Sequence, residues 1–448
     1  MHNHLTIQID PSKIEQHFSV LSQIGRLGMS PESGFLRASW SYEESEAMAY
    51  IRQVGVENGL IAHYDAVGNL FLTTPYQKPT LLQMGSHLDT VPMGGNYDGA
   101  AGVVVGLEAT LTLKDHWQEM EHALQLVAWR GEESATFGAL CKGSQAAFGK
   151  NDPKILRKEF EGNSLEDAIL SQGYDPAYIS EQRPTLSRAQ VDAIHAHIEL
   201  HIEQAKSLEV NRLDIGIVSS IRGAVRFRAI VDGEAAHSGG TPMGVEYRQD
   251  ANLAIAYMQV ALDKRVQEAL AMGDDLVLTV GLLNSDFNYN LHDPRVYENA
   301  LTKVSPFGYF AVDIRSNRAE TLARIVADAK QIIEQVARDF RVSVTFQSIT
   351  ELAPTETLDE RIQEAVDESC RSLGLKSVVM SSGALHDVAV VANQRRSDGS
   401  RIPSGLIFIP CREGISHNPK EYASLEALTN GAQVLAQTLY RLGKENFN

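Results

Sequence analysis

The chain is short of cysteine and of positive charge, and it has no long apolar run; each shortage removes a class of protein. Only Cys141, Cys370 and Cys411 occur in 448 residues, and no two of them form a CxxC pair. An odd count at such wide spacing argues against a disulfide framework. Forty lysines and arginines face 57 aspartates and glutamates, a formal net charge of −17. So acidic a surface repels nucleic acid and anionic membranes. No hydrophobic stretch approaches the ~20 residues that span a bilayer. The opening "MHNHLTIQIDPSKIEQ" lacks the basic start and apolar core of a secretory signal. These absences predict a cytoplasmic protein with no nucleic-acid or membrane partner. Internal repeats and low-complexity tracts are missing as well.

What is present is ample core. Hydrophobic residues make up 43% and charged residues 22%, as in a soluble globular protein. The length exceeds one ordinary domain, so two are expected. The first two hundred residues alternate strand-like runs ("TLLQMGSH", "HALQLVAWRGEE") with helix-like ones ("SEAMAYIRQVGVENGL", "GVVVGLEATLTLK"). That alternation predicts a mostly parallel sheet with helices on both faces, and ligands bind at the carboxyl ends of such strands. Residues from about 150 to 190 read as short helices and loops. From about 221 to 350 the order becomes β-α-β-β-α-β, a self-contained α+β unit. The expected architecture is therefore an α/β catalytic domain, 1–220 with 351–448, interrupted by an inserted domain, 221–350.

Chemistry-bearing residues follow the apolar runs. In "GSHLDTVPMGGNYDGAAGVVVGLEA", His87 and Asp89 lie two apart and point the same way in extended chain. One can ligate a metal while the other orients its imidazole. Asp98 falls where a helix should begin, a position that suits an N-cap and also faces the site. A phosphate cradle is disfavoured, because GxxxxGK[ST], GxGxxG and a nearby lysine are all missing and the local charges are acidic. Glu132 and Glu133 repel one another unless a cation or proton intervenes. Their side chains diverge, so one can bind metal while the other takes a proton. In "HAHIELHIEQ" the residues His195, His197, Glu199, His201 and Glu203 share one face, expected to be the wetter one. A straight strand cannot converge them all on one ion, so one residue near its carboxyl end is the candidate ligand, and spacing does not choose it. His237 lies in a tight loop of the inserted domain. His386 and His417 follow later apolar runs, and His417, set between turn formers, is the better ligand candidate.

Taken in order, HLD, NYDG, RGEES, ELHIEQ, AAHSGGTPM and GISHNPKE resemble the dinuclear-zinc amidohydrolase and peptidase group, and most closely its hydantoinase/carbamoylase branch. That branch comprises N-carbamoyl-L-amino acid hydrolases, β-ureidopropionases and allantoate amidohydrolases. The likeness runs from about residue 15 to 440. It implies two divalent metal ions, zinc first and manganese or cobalt as alternatives, with Asp98 bridging them. His87 and His201 would complete one position, Glu133 and His417 the other. It implies Glu132 as general base, Asp89 as the partner that orients His87, and His237 as an oxyanion donor reaching across a homodimer formed by the inserted domain. Arg315 would grip a substrate carboxylate, and Gln204 would contact substrate. Departures gather on the substrate side. Thr302 stands where the family has an asparagine, Leu385 and Ala205 where it has glycines, and Gln145 where it has an arginine. The expected activity is hydrolysis of the ureido C–N bond of a small carboxylated molecule, with allantoate hydrolysis as the alternative. A dipeptidase or aminoacylase, or a catalytically silent binding protein, ranks behind both.

Overall fold

The computed structural model describes residues 7–283 and 300–444. Met1–Ser219 with Thr357–Asn448 forms one compact unit, and Ser220–Glu356 forms another. The seams differ slightly from the expected 220/221 and 350/351. The last strand of the smaller unit, Ser343–Leu352, runs past residue 350, and Thr355 still bridges back to Ile221. The first six residues, which carry part of the reading against a leader, lie outside the described residues.

The larger unit is built on an eight-stranded sheet in the order Ile61–Tyr64, Leu70–Thr73, Ala123–Trp129, Leu81–His87, Ile194–Ile202, Ser404–Ile409, Ile215–Ile221, Ser377–Ser382. Its central strands, Ala123–Trp129 through Ser404–Ile409, run parallel. Antiparallel neighbours flank them on both sides. Central strands covered on both faces need near-continuous apolar sequence, and "ALQLVAW" supplies it. On one face the helix Ala100–Thr112 packs with Leu425–Leu442 and Pro11–Leu21, joining Val103, Val104 and Leu107 to Leu200, Leu435 and Leu439. On the other, Phe71, Val127, Trp129, Phe148 and Val391 form a second core. The fold is mixed α/β with a large, mostly parallel sheet. Among the described residues no helix is long and apolar enough to cross a membrane.

Two local expectations need correction. The polar face of Ile194–Ile202 is not wet. His197, Glu199 and His201 are all buried, because the strand is central and helices cover both of its faces. Each therefore needs a protein partner: His197 bonds Gln83, and Glu199 accepts from Ser86 Oγ and from Val388 N–H. Burial also pushes His197 down to about 3, which keeps it neutral. Asp98, moreover, is not the helix cap. The helix begins at Ala100 with Gly99 as N-cap, and no side chain caps it. The Asp98 carboxylate is free to turn toward other partners.

In the smaller unit, four antiparallel strands lie in the order Val277–Leu283, Phe307–Ser316, Gly223–Asp232, Ser343–Leu352. The helices Ala251–Ala271 and Ala319–Asp339 pack together on this sheet. Ile255, Met258, Leu262, Ile325 and Ile333 meet Phe227, Ala229, Phe310 and Val312 in one core. Alternating burial along Gly223–Asp232 reflects a sheet covered by helices on one side.

Candidate metal centre

Parallel strands end together, and here their ends gather the acidic and imidazole groups. His87 is the last residue of Leu81–His87, and Glu132 and Glu133 follow Ala123–Trp129 by three and four positions. His201 is next to last in Ile194–Ile202, and His417 follows the strand Ser404–Ile409. Asp98 joins them from the glycine-rich turn ahead of Ala100.

The groups form two clusters that share one carboxylate. His87, Asp98 and His201 offer ligand atoms within 4.8 Å of one another, and so do Asp98, Glu133 and His417. Asp98 Oδ1 lies 2.9 Å from His201 Nε2 and 3.7 Å from His87 Nε2. Its Oδ2 lies 3.1 Å from His417 Nε2, which is also 3.1 Å from Glu133 Oε1. A third grouping, Glu199 with His201 and His386, meets the same distance limit. Two of its members have other partners, Glu199 as above and His386 with Ser382 Oγ at 3.0 Å, and the third is the His201 of the first cluster.

The donor set suits divalent metal. His201 Nδ1 lies 2.9 Å from the Ile202 carbonyl, and His87 Nδ1 lies 3.1 Å from the Asp89 carbonyl, with Asp89 Oδ1 at 3.2 Å beside it. Both contacts put a ring proton on Nδ1, so Nε2, the nitrogen that faces Asp98, is the one that would serve as ligand once a metal ion takes the place of its proton. Space is kept open as well. Gly99 has φ +64, and a Cβ there would come within 2.4 Å of His87 Nε2. Asp89 does more than orient His87: its carboxylate also accepts the Glu132 and Glu133 N–H groups and the Ser39 hydroxyl. One side chain thereby fixes both the imidazole and the turn that carries two glutamates.

Charge makes the same point. Burial works against ionised Asp98, yet His201, His417 and His87 hold its carboxyl well below the usual range. Burial likewise opposes a charged His87, but Asp89, Glu132 and Asp98 raise it well above its ordinary value. Bonds to Asp98 and Glu133 carry His417 up to about 11. Burial, together with Glu133, Asp387 and Asp89, pushes Glu132 well upward. A buried acidic group of this kind calls for added positive charge.

The other expected residues divide between the two units. Gln204, in the left-handed region at φ +56, donates Nε2 to Asp98 Oδ2 at 2.8 Å. Leu385 is half-buried next to His386. Ala205 follows Gln204, and Gln145 donates to the Leu140 carbonyl. His237, Thr302 and Arg315 belong to the smaller unit. There His237 is exposed and its Nδ1 accepts from the N–H groups of Gly239 and Gly240, which leaves the proton on Nε2. The Ser238 N–H donates to the Thr302 carbonyl, and Arg315 pairs with Asp313 at 2.9 Å.

Reading the sequence missed Ser416 and Glu421. Ser416 Oγ lies 2.7 Å from Asp98 Oδ2, and Glu421 accepts the N–H groups of Tyr97 and Asp98. The motif "GISHNPKE" contains both. Nothing in its spacing says that they meet a turn more than three hundred residues earlier.

Comparison with known proteins adds names to this geometry. The profile of Peptidase family M20/M25/M40 matches residues 83–441. An N-carbamoyl-L-amino acid amidohydrolase of Geobacillus stearothermophilus is 31% identical, covering 96% of this chain and 98% of its own. An allantoate amidohydrolase of Escherichia coli strain K12 is also 31% identical, covering 94% and 96%. The crystal structure of an amidase of the hydantoinase/carbamoylase family from Burkholderia multivorans superposes with a TM-score of 0.82 at 27% identity, over 98% of this chain and 99% of that one.

Proposed function

The chain belongs to peptidase family M20/M25/M40, and from that premise we propose that it hydrolyses the ureido C–N bond of a small carboxylated substrate, an N-carbamoyl-L-amino acid. The observation that carries the reading is Asp98, whose two oxygens each face a separate group of ligand atoms. His87 and His201 would hold one divalent ion with Asp98, and Glu133 and His417 a second. Zinc suits this His/carboxylate set first, and manganese or cobalt are alternatives. When bound, such ions supply Lewis acidity toward a carbonyl and lower the pKa of water.

The chain's own groups account for the rest. Glu132 stands beside His87, with Oε2 at 4.0 Å from its Nε2, while Cys141 Sγ donates to Oε1 at 3.3 Å. One oxygen is thereby anchored and the other faces the cluster, as a general base needs. Glu132 takes a proton from water on Oε2 and returns it to the leaving nitrogen. Overall, a carbamoyl group and water give carbon dioxide, ammonia and the free amine. The Nε2–H of His237 is suited to an oxyanion, and the planar fork of Arg315 to a carboxylate. Gln204, Thr302 and Leu385 are the substrate-side positions of this reading.

Allantoate is the second reading, favoured by the E. coli relative at the same 31% identity. Ammonia release from N-carbamoyl-L-amino acids, allantoate and dipeptides, by the metal-loaded and the chelator-treated protein, separates the cases. Activity on the first class, abolished by chelation and restored by metal, is the expected result. Turnover of dipeptides alone, or activity that survives complete metal removal, would overturn the reading.

The same proposal includes a homodimer formed through the 220–356 unit. Val277–Leu283 and Ser343–Leu352 are the edges of its sheet, and an edge strand is a template for pairing. Sedimentation is expected to show a dimer at assay concentrations. A fully active monomer would exclude it.

A further inference from the structure

We propose that Glu421 is a positioning residue that clasps two loops together and so fixes the spacing of Asp98 and His417. The proposal rests on the metal-centre reading above and deepens it. Neither Asp98 nor His417 lies within a helix or strand. His417 is in the left-handed region at φ +55, and about half of its side chain is exposed. A ladder of main-chain bonds fixes His201 and His87 in their strands, but no such ladder fixes these two.

Glu421 takes its place. One carboxylate oxygen, Oε1, accepts the N–H groups of Tyr97 and Asp98, each at 2.9 Å. The other, Oε2, accepts the N–H of His417 at 3.2 Å. Ser416 Oγ sits between them, 3.1 Å from Glu421 Oε2 and 2.7 Å from Asp98 Oδ2, and its single proton serves one acceptor at a time. A single buried side chain thus ties the main chain on either side of the Asp98–His417 gap.

Gly95 supplies an independent observation. A Cβ at that position would lie 2.3 Å from the Glu421 carboxyl carbon and from Oε1. No side chain can occupy residue 95 while the carboxylate keeps this seat. The turn "GGNYD" is therefore shaped around Glu421 as well as around the ligand that it carries. Loss of the clasp should loosen the position that combines Asp98, Glu133 and His417. The position that relies on His87 and His201 keeps its strand-borne imidazoles.

Zinc titration of the metal-free protein, read by competition with a chromophoric chelator and without substrate, tests this. The wild type should bind two equivalents. Glu421→Gln replaces an acceptor with a donor facing the His417 N–H, and Gly95→Ala evicts the carboxylate without altering its charge. Each should keep one tight equivalent and bind the second 10- to 100-fold more weakly, the usual scale for losing a group that orients a ligand. Glu421→Asp, which retains the charge on a shorter arm, should recover part of that loss. Two equivalents at wild-type affinity in both folded variants would overturn the proposal. Equal weakening of both equivalents would overturn it too, since that is the mark of general loosening. Because no substrate enters this assay, a wild type that cleaves no ureido compound overturns the functional reading and leaves the clasp to be judged on metal binding.

Discussion

Glu132→Gln is expected to bind metal as the wild type does and to lose about 10²- to 10⁴-fold in kcat, the range that a positioned general base contributes. The amide has the same shape and keeps an oxygen for Cys141 Sγ to donate to. It cannot accept a proton from water. Asp89 accepts the Glu132 and Glu133 main-chain N–H groups, so the turn and the Glu133 carboxylate should be undisturbed. Steady-state kinetics on the best ureido substrate, paired with zinc stoichiometry, checks both halves. KM should change little, because the lost group acts on the proton and not on substrate binding. If the variant keeps wild-type kcat, Glu132 is not the base. If it loses its metal, the drop in rate no longer reports proton transfer.

Removing one half of the ion pair beneath that turn should have the largest effect on stability. Arg130 Nη1 lies 2.8 Å from Glu44 Oε2, and both side chains are almost fully buried. Glu44 also accepts the main-chain N–H groups of Trp40 and Gly131, while Arg130 donates to the Gly68 carbonyl. The pair therefore pins the start of the RGEE turn to the segment that carries Ser39, itself bonded to Asp89. Glu44→Ala leaves a buried guanidinium without its anion, which costs about 3–5 kcal/mol. Chemical denaturation, followed through the transition of the larger unit, should show that loss. Replacing both partners with leucine or methionine should cost much less than the two single changes combined, because no charge is then left unpaired. Strict additivity would mean that the two side chains act separately.

Strand ends were readable because their chemistry is local. "TLLQMGSH" and "HALQLVAWRGEE" each announce a buried strand followed by a polar turn, and His87, Glu132 and Glu133 stand just beyond. The β-α-β-β-α-β order of the smaller unit was legible for the same reason, since its period changes within short windows. "HAHIELHIEQ" was misread because alternation tells which residues share a face and not what covers that face. His197 and Glu199 turned out to be buried, with Gln83 and Ser86 as partners. Of the two roles expected for Asp98, a cap and a group facing the site, the cap fails because the sequence cannot say whether a helix starts at residue 99 or 100.

The sequence by itself determined the residue types of the centre, their order and the family to which they belong. Those properties lie in motifs of a few residues each. Tertiary structure alone decided which polar residue of Ile194–Ile202 faces Asp98, and that Glu421 grips a turn 323 residues away. The reason is geometric. Parallel strands far apart in sequence end side by side, and only their packing sets which lone pairs point at a common space and which carboxylates must be held there.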